Sequence, residues 1–131
     1  MFDKYMIVED GFRNVSGQGK ADVIGFQINT RLPYYRGVGV SMVEDVSVTV
    51  DGETFPRDSV TVILRGRPMS LAAMETNYQD RWEFGEIGTV IVRKPGGLAP
   101  GRHRIELADR LRISYLPFPL VGRDAKELVL E

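Results

Sequence analysis

A chain of 131 residues with 43% hydrophobic content is sized for one domain, able to bury roughly two-thirds of the surface its unfolded form exposes. The absence of cysteine excludes a disulfide scaffold, a thiolate metal site and a cysteine nucleophile, and fits a reducing, cytoplasmic setting. With 17 Lys and Arg against 18 Asp and Glu, a net charge of -1 and no basic run, no nucleic-acid footprint is expected. No membrane partner is expected either, since no apolar run reaches spanning length and the first residues lack the features of a signal peptide.

The dominant period along the chain is two, which predicts an all-β fold. Residues 5–12 read as a first strand, and 14–20, with Ser, Gln and paired glycines, as a turn. Residues 23–32 read as a strand with Ile24, Phe26 and Ile28 on one face and Gln27 and Asn29 on the other. Then comes Arg31-Leu32-Pro33-Tyr34-Tyr35-Arg36-Gly37. Pro33 fixes its own φ and keeps Leu32 extended, while Gly37 permits positive φ, so the tyrosines and Arg36 sit in a short, stiff excursion suited to recognition. The bland alternative is that both rings cover the core edge and Arg36 is solvated.

Further along, Val46, Val48 and Val50 alternate with Ser47 and Thr49, and Asp51-Gly52 signals a tight hairpin whose return strand is cut short at Pro56. Val60, Val62 and Leu64 form the next alternating run, turned by Arg65-Gly66-Arg67-Pro68. Residues 71–77 are the one candidate for a helical turn. In 81–86, alternation puts Trp82 and Phe84 on one face; the default expectation is that both are core, and the alternative is a pair of exposed, sugar-stacking aromatics. A strand over 89–94, a double turn over 95–101, a hairpin of 102–108 with 111–116 across Asp109-Arg110, and a short strand over 128–130 complete the chain. About nine short strands with regular turn signals indicate an antiparallel β-sandwich of jelly-roll type, a single domain over 1–131.

Catalytic chemistry is sparse. The one histidine, His103, shares strand parity with Ile105 and Leu107 and is expected to be structural, because a general base needs a positioned partner. No Gly-x-Ser-x-Gly elbow is present. The acidic pairs Glu9-Asp10 and Glu44-Asp45 would point to opposite faces of a strand, so no metal site is expected on this chain. Nothing selects one carboxylate pair for glycoside hydrolysis, and Gly96, Gly97 and Gly101 lack phosphate-loop spacing. Residues 113–119, ending a strand in a proline-stiffened apolar segment, either form an interface patch or cover an open sandwich end. Tyr34, Tyr35, Arg36, Trp82 and Tyr115 are therefore the candidates for a partner interface or substrate pocket.

Residues 31–37, Val50-Asp51-Gly52-Glu53, residues 81–86, Lys94-Pro95-Gly96-Gly97-Leu98 with Gly101 and His103, and Arg112-Ile113-Ser114-Tyr115 together resemble the small, β subunit of bacterial C-glycoside deglycosidases. The resemblance covers nearly the whole chain. It implies a β-sandwich that joins a larger α subunit, a TIM barrel similar to sugar isomerases and epimerases, which carries a divalent metal, commonly manganese, and a catalytic histidine. It also implies a 3-keto-C-glucoside substrate with a flavonoid-type aglycone. The ketone acidifies the adjacent sugar hydrogen and so permits elimination of the aglycone. The competing reading is a stand-alone carbohydrate-binding sandwich with Trp82 and the tyrosines as stacking platforms, and a weaker third is a self-contained jelly-roll glycosidase.

Overall fold

The structure, a computed structural model, describes residues 3–17, 22–113 and 116–131. Among them are eleven strands: β1 (Ile7–Ser16), β2 (Val23–Thr30), β3 (Val38–Gly39), β4 (Val43–Val50), β5 (Glu53–Thr54), β6 (Val60–Leu64), β7 (Arg67–Ser70), β8 (Arg81–Trp82), β9 (Gly88–Arg93), β10 (Gly101–Leu111) and β11 (Leu120–Leu130). One short helix, α1 (Leu71–Glu75), is capped at its start by the Ser70 side chain, which accepts a hydrogen bond from the Ala73 amide. Among the described residues no helix is long and apolar enough to cross a membrane.

The fold is an all-β sandwich with every strand pair antiparallel. One sheet runs β1-β2-β9-β6-β7, the other β11-β10-β4-β5, and β3 and β8 form a separate ribbon. The alternating valines seen in the sequence supply the core: Val46, Val48 and Val50 from one sheet face Val60, Val62, Val90 and Val92 from the other, all buried. Pleat geometry makes this automatic, since every second side chain of a strand points to the same face. The sheets are stitched where β1 meets β11: the Ile7 amide donates to Asp124 Oδ2 at 3.0 Å, and Lys126 Nζ donates to the Ile7 carbonyl at 2.7 Å.

The predicted Asp51-Gly52 turn forms with left-handed backbone (φ 50° and 86°), and the turn expected over residues 65–68 closes within Arg65 (φ 51°) and Gly66 (φ 79°), Arg67 and Pro68 already belonging to β7; both have the geometry that matches strand twist in a tight hairpin. Other expectations need correction. The first strand runs on to Ser16, because the Asn14 side chain pairs with both the amide and the carbonyl of Leu98 and keeps the segment in register; residues 18–21 of the expected turn lie outside the described residues. Ile24 is exposed at the strand end despite sharing parity with buried Phe26 and Ile28. The largest difference concerns Asp109-Arg110. No hairpin turns there: β10 continues through it to Leu111, and its partner β11 is a full-length strand rather than a short terminal one. Ile105, Leu107, Asp109 and Leu111 keep one parity and are all buried, so periodicity prevailed over the turn-forming tendency of aspartate.

A candidate partner interface around residues 31–37

The segment after β2 is tied down at its start, where the Arg31 amide donates to the Met6 carbonyl at 2.8 Å. Leu32 and Pro33 are buried. Pro33 fills the space above Gly122 of β11; a Cβ at that glycine would collide with the proline ring. Gly37 passes equally close to the Trp82 carbonyl and Glu83, and the chain then enters β3, whose Val38 and Gly39 pair with Trp82 and Arg81 of β8. The two aromatic stretches that stood out separately in the sequence are thus neighbours.

Within this frame the candidates divide. Tyr34 is 8% exposed and its ring lies 4.7 Å, centroid to centroid, from that of Tyr35. Tyr35 is 48% exposed, and the Arg36 guanidinium stands over its ring at 5.7 Å. Tyr34 therefore covers the core edge and anchors the loop, while Tyr35 and Arg36 are presented outward. Trp82, read as core by default and as an interface or pocket candidate in the alternative, is fully enclosed, its indole N–H donating to the Glu86 carbonyl at 2.9 Å. It offers no face to a sugar or a partner; its role is to hold the 83–86 turn. Tyr115 lies outside the described residues.

Phe84 is the reverse correction. Expected in the core with Trp82, it is 55% exposed, because β8 ends at Trp82 and the chain turns through Gly85 (φ 76°), with the Glu86 amide returning to the Glu83 carbonyl at 3.0 Å. Strand parity does not carry through a turn. Phe84 and half-exposed Tyr5 line an apolar cleft of about 370 Å³ with Arg31, Leu32 and Gly85. A second cleft borders the same loop through Tyr34, Arg36 and Gly37, and brings in Arg81 and Arg112. Tyr5 was not singled out from the sequence, and Phe84, Arg81 and Arg112 stood out there only within longer motifs, not as neighbours of this loop; the glycine after Phe84 was the available signal for its escape from the core.

The groups able to do chemistry lie elsewhere. His103 is engaged at both ring nitrogens: Nδ1 lies 2.6 Å from Asp51 Oδ2 and Nε2 lies 2.7 Å from the Ala99 carbonyl oxygen. Both partners are acceptors, so both nitrogens donate together only in the imidazolium form. The Ala99 carbonyl first, and Asp51 second, raise the histidine pKa, while Asp51 is lowered by the Arg104 amide and by His103. With no free lone pair facing solvent, the ring is arranged as a clamp between the Asp51 turn and the 95–101 loop rather than as a base. Asp109 is different: it is fully buried between Val46 and Gly122, and neither carboxylate oxygen has a hydrogen-bond partner. Burial, with a smaller contribution from the charge of Asp45, pushes its pKa up to about 8, so the side chain is a neutral acid at physiological pH. Among the described residues no group of three or more His, Asp or Glu is placed to hold a metal ion.

A family model for the C-glycoside deglycosidase beta subunit matches residues 2–115. The chain is 32% identical over 115 residues to a C-glycoside deglycosidase beta subunit from Eubacterium cellulosolvens, covering 88% of this chain and 78% of that one. It is 33% identical over 118 residues to a 3'-dehydrocarminate deglycosidase beta subunit from a Microbacterium species, covering 89% and 83%. A further C-glycoside deglycosidase beta subunit, from Microbacterium trichothecenolyticum, is 26% identical over 110 residues, covering 84% and 79%. The matched span takes in the 31–37 loop, the β3–β8 ribbon and most of both sheets. The chain belongs to the C-glycoside deglycosidase beta subunit family.

Proposed function

We propose that this chain is the non-catalytic β subunit of a cytoplasmic C-glycoside deglycosidase complex, and that the face around residues 31–37 docks onto the larger α subunit. The observation that carries this reading is the division of labour in the fold. The chain's one histidine is committed at both nitrogens to internal acceptors, while aromatic and arginine side chains of the type that dominate interfaces are presented beside the loop. Pro33, wedged over Gly122, and the Tyr34 anchor leave Tyr35 and Arg36 little freedom to lose on binding.

The α subunit of this reading is a TIM-barrel protein similar to sugar isomerases and epimerases. It carries the divalent metal, commonly manganese, which when bound would supply a Lewis acid for charge developing on a substrate oxygen. The substrate is a C-glucoside of a flavonoid or related phenol already oxidised to the 3-keto sugar; the 3'-dehydro prefix in one relative's name supports that oxidation state. The ketone acidifies the neighbouring sugar C–H, loss of that proton permits expulsion of the aglycone, and the carbon–carbon bond is cleaved without hydrolysis, as a lyase does. This chain's part is to brace the barrel and, through Tyr35 and Arg36, to shape the mouth of its pocket.

The test is to purify the chain alone and co-expressed with its α subunit, and to assay 3-keto-C-glucoside cleavage with added manganese. Turnover is expected only with the α subunit present. Comparable turnover by the isolated chain, or failure of the two chains to copurify, would sink the proposal.

A further inference from the structure

The cleft bordered by Tyr34, Met42 and Ile113 holds about 240 Å³ and gathers Arg36, Arg81 and Arg112 at its walls. Their neutralisation is incomplete. Arg81 gives only its Nε to Glu83, at 3.4 Å. Among the described residues Arg36 stands over the Tyr35 ring, and neither it nor Arg112, whose backbone amide is fixed by the Met42 carbonyl at 2.8 Å, makes an ion pair. Several arginines elsewhere on the surface are paired. Arg57 sits against Asp45 and Glu75, Arg67 against Asp80, Arg102 against Glu127 and Arg110 against Glu44. The adjoining cleft sets Arg57, Arg110 and Arg112 against Glu44, Asp45 and Glu75, so that Arg112 stands on the border between a balanced cleft and one whose lining includes no carboxylate. A nearly neutral chain thus leaves a concentrated positive charge at the border of its docking loop, with Gly37 and Gly39 keeping the walls bare of side chains.

We propose that this cleft is a carboxylate socket, taking an acidic side chain of the α subunit between the forks of Arg112, Arg36 and Arg81. The proposal rests on the docking reading above and deepens it by naming the partner's chemistry. A guanidinium presents parallel N–H donors that match a carboxylate bidentately, and a cleft with uncompensated cations favours an anion from the partner over an apolar or basic group. Exposed Tyr35 and Phe84 supply the apolar part of the contact; the socket supplies its register and its salt dependence.

The experiment uses the co-expressed complex, with the dissociation constant measured by dilution in analytical ultracentrifugation. Arg112→Gln is expected to raise it about tenfold or more at low salt, and the deficit should shrink when ionic strength rises about tenfold, as screening removes what the mutation removes. Inorganic phosphate at constant ionic strength should weaken the wild-type complex by competing for the same forks, and should do so less in Arg112→Gln. Arg102→Gln, in a paired site on β10, should leave the constant within about twofold. The comparator for the docking reading is Tyr35→Ala, which should weaken assembly with little salt dependence. A weakened Tyr35→Ala complex beside an unchanged Arg112→Gln complex overturns the socket and leaves the docking face standing; unchanged affinity in both overturns the two together. Should Arg112→Gln fail to accumulate, Arg112→Lys and the wild-type salt series decide: a dissociation constant indifferent to salt overturns the proposal.

Discussion

Strand β10 carries His103 and Asp109 on one parity and treats them in opposite ways. His103, near the strand's start, is bracketed by the Ala99 carbonyl and Asp51, both of which favour its charged form. Asp109, deeper in the same strand, meets no donor or acceptor and gives up its charge to remain inside. A polar group on a core face must be paired or neutralised, and a single strand here uses both solutions. The first builds a clamp between the Asp51-Gly52 turn and the 95–101 loop. The second leaves a latent instability behind Pro33, since Asp109 pairs across the sheet with Gly122, the residue on which that proline rests.

The largest test of this contrast is Asp109→Asn, which keeps the shape and removes the titration. The carboxyl's folded pKa, about 8, stands above its ordinary 3.8. The native state therefore binds the proton more tightly than the unfolded chain, and stability falls as pH rises between the two values, by up to about 1.4 kcal/mol per pH unit. Urea midpoints measured from about pH 5.5 to 8.5, the upper part of that window and just beyond it, should fall steeply for wild type and less so for the variant, so that Asn is the more stable at the alkaline end. Parallel curves for the two proteins would show that Asp109 does not titrate in the fold.

That residue also marks where the sequence was legible and where it was not. Alternation of Val46, Val48 and Val50, of Val60, Val62 and Leu64, and the Asp51-Gly52 turn could be read directly, because each rests on local geometry. The stiff 31–37 loop could be read as well, though not which of its rings would turn inward, since that depends on Gly122, remote in sequence. Asp109 reads as a turn residue in the sequence because its buried state is conferred by the core around it and leaves no local trace. Phe84 was assigned to the core for the converse reason: its parity agreed with Trp82, but the strand had already ended. The arginine cleft joins Arg36, Arg81 and Arg112 from separate elements, a meeting that no spacing rule foretells.

A smaller effect is expected at the other pole of the comparison. His103 is raised from 6.5, so its contribution to stability is whole below that value and is lost as pH climbs through the folded one. Its partner Asp51 is lowered from 3.8, and its contribution is present above that value and fades as pH falls through the folded one. His103→Gln should therefore cost most between these two ordinary values and less at alkaline pH, a trend visible in thermal melts across the same series. Turnover of the assembled complex should stay within about tenfold, whereas removing an acid–base catalyst costs roughly 10² to 10⁴. A loss of that size in a complex that melts and assembles normally would move His103 from clamp to catalyst.

The smallest change sharpens the same point from the acceptor side. Asp51 holds a left-handed backbone at φ 50°, which asparagine tolerates, so Asp51→Asn should keep the turn. Its side-chain oxygen can still accept the Arg104 amide, now made at 2.9 Å to Oδ1. The other atom becomes an NH₂ donor facing His103 Nδ1, which can then only accept, leaving Nε2–H on the Ala99 carbonyl. The clamp survives, but around a neutral ring. Melting should drop less than in His103→Gln, while the imidazole titration, followed through its ring protons by NMR, should shift downward from the wild-type value. An unmoved titration would mean that the Ala99 carbonyl alone sets the charge of His103, and the strand would then hold one solvated histidine and one buried acid rather than two answers to the same constraint.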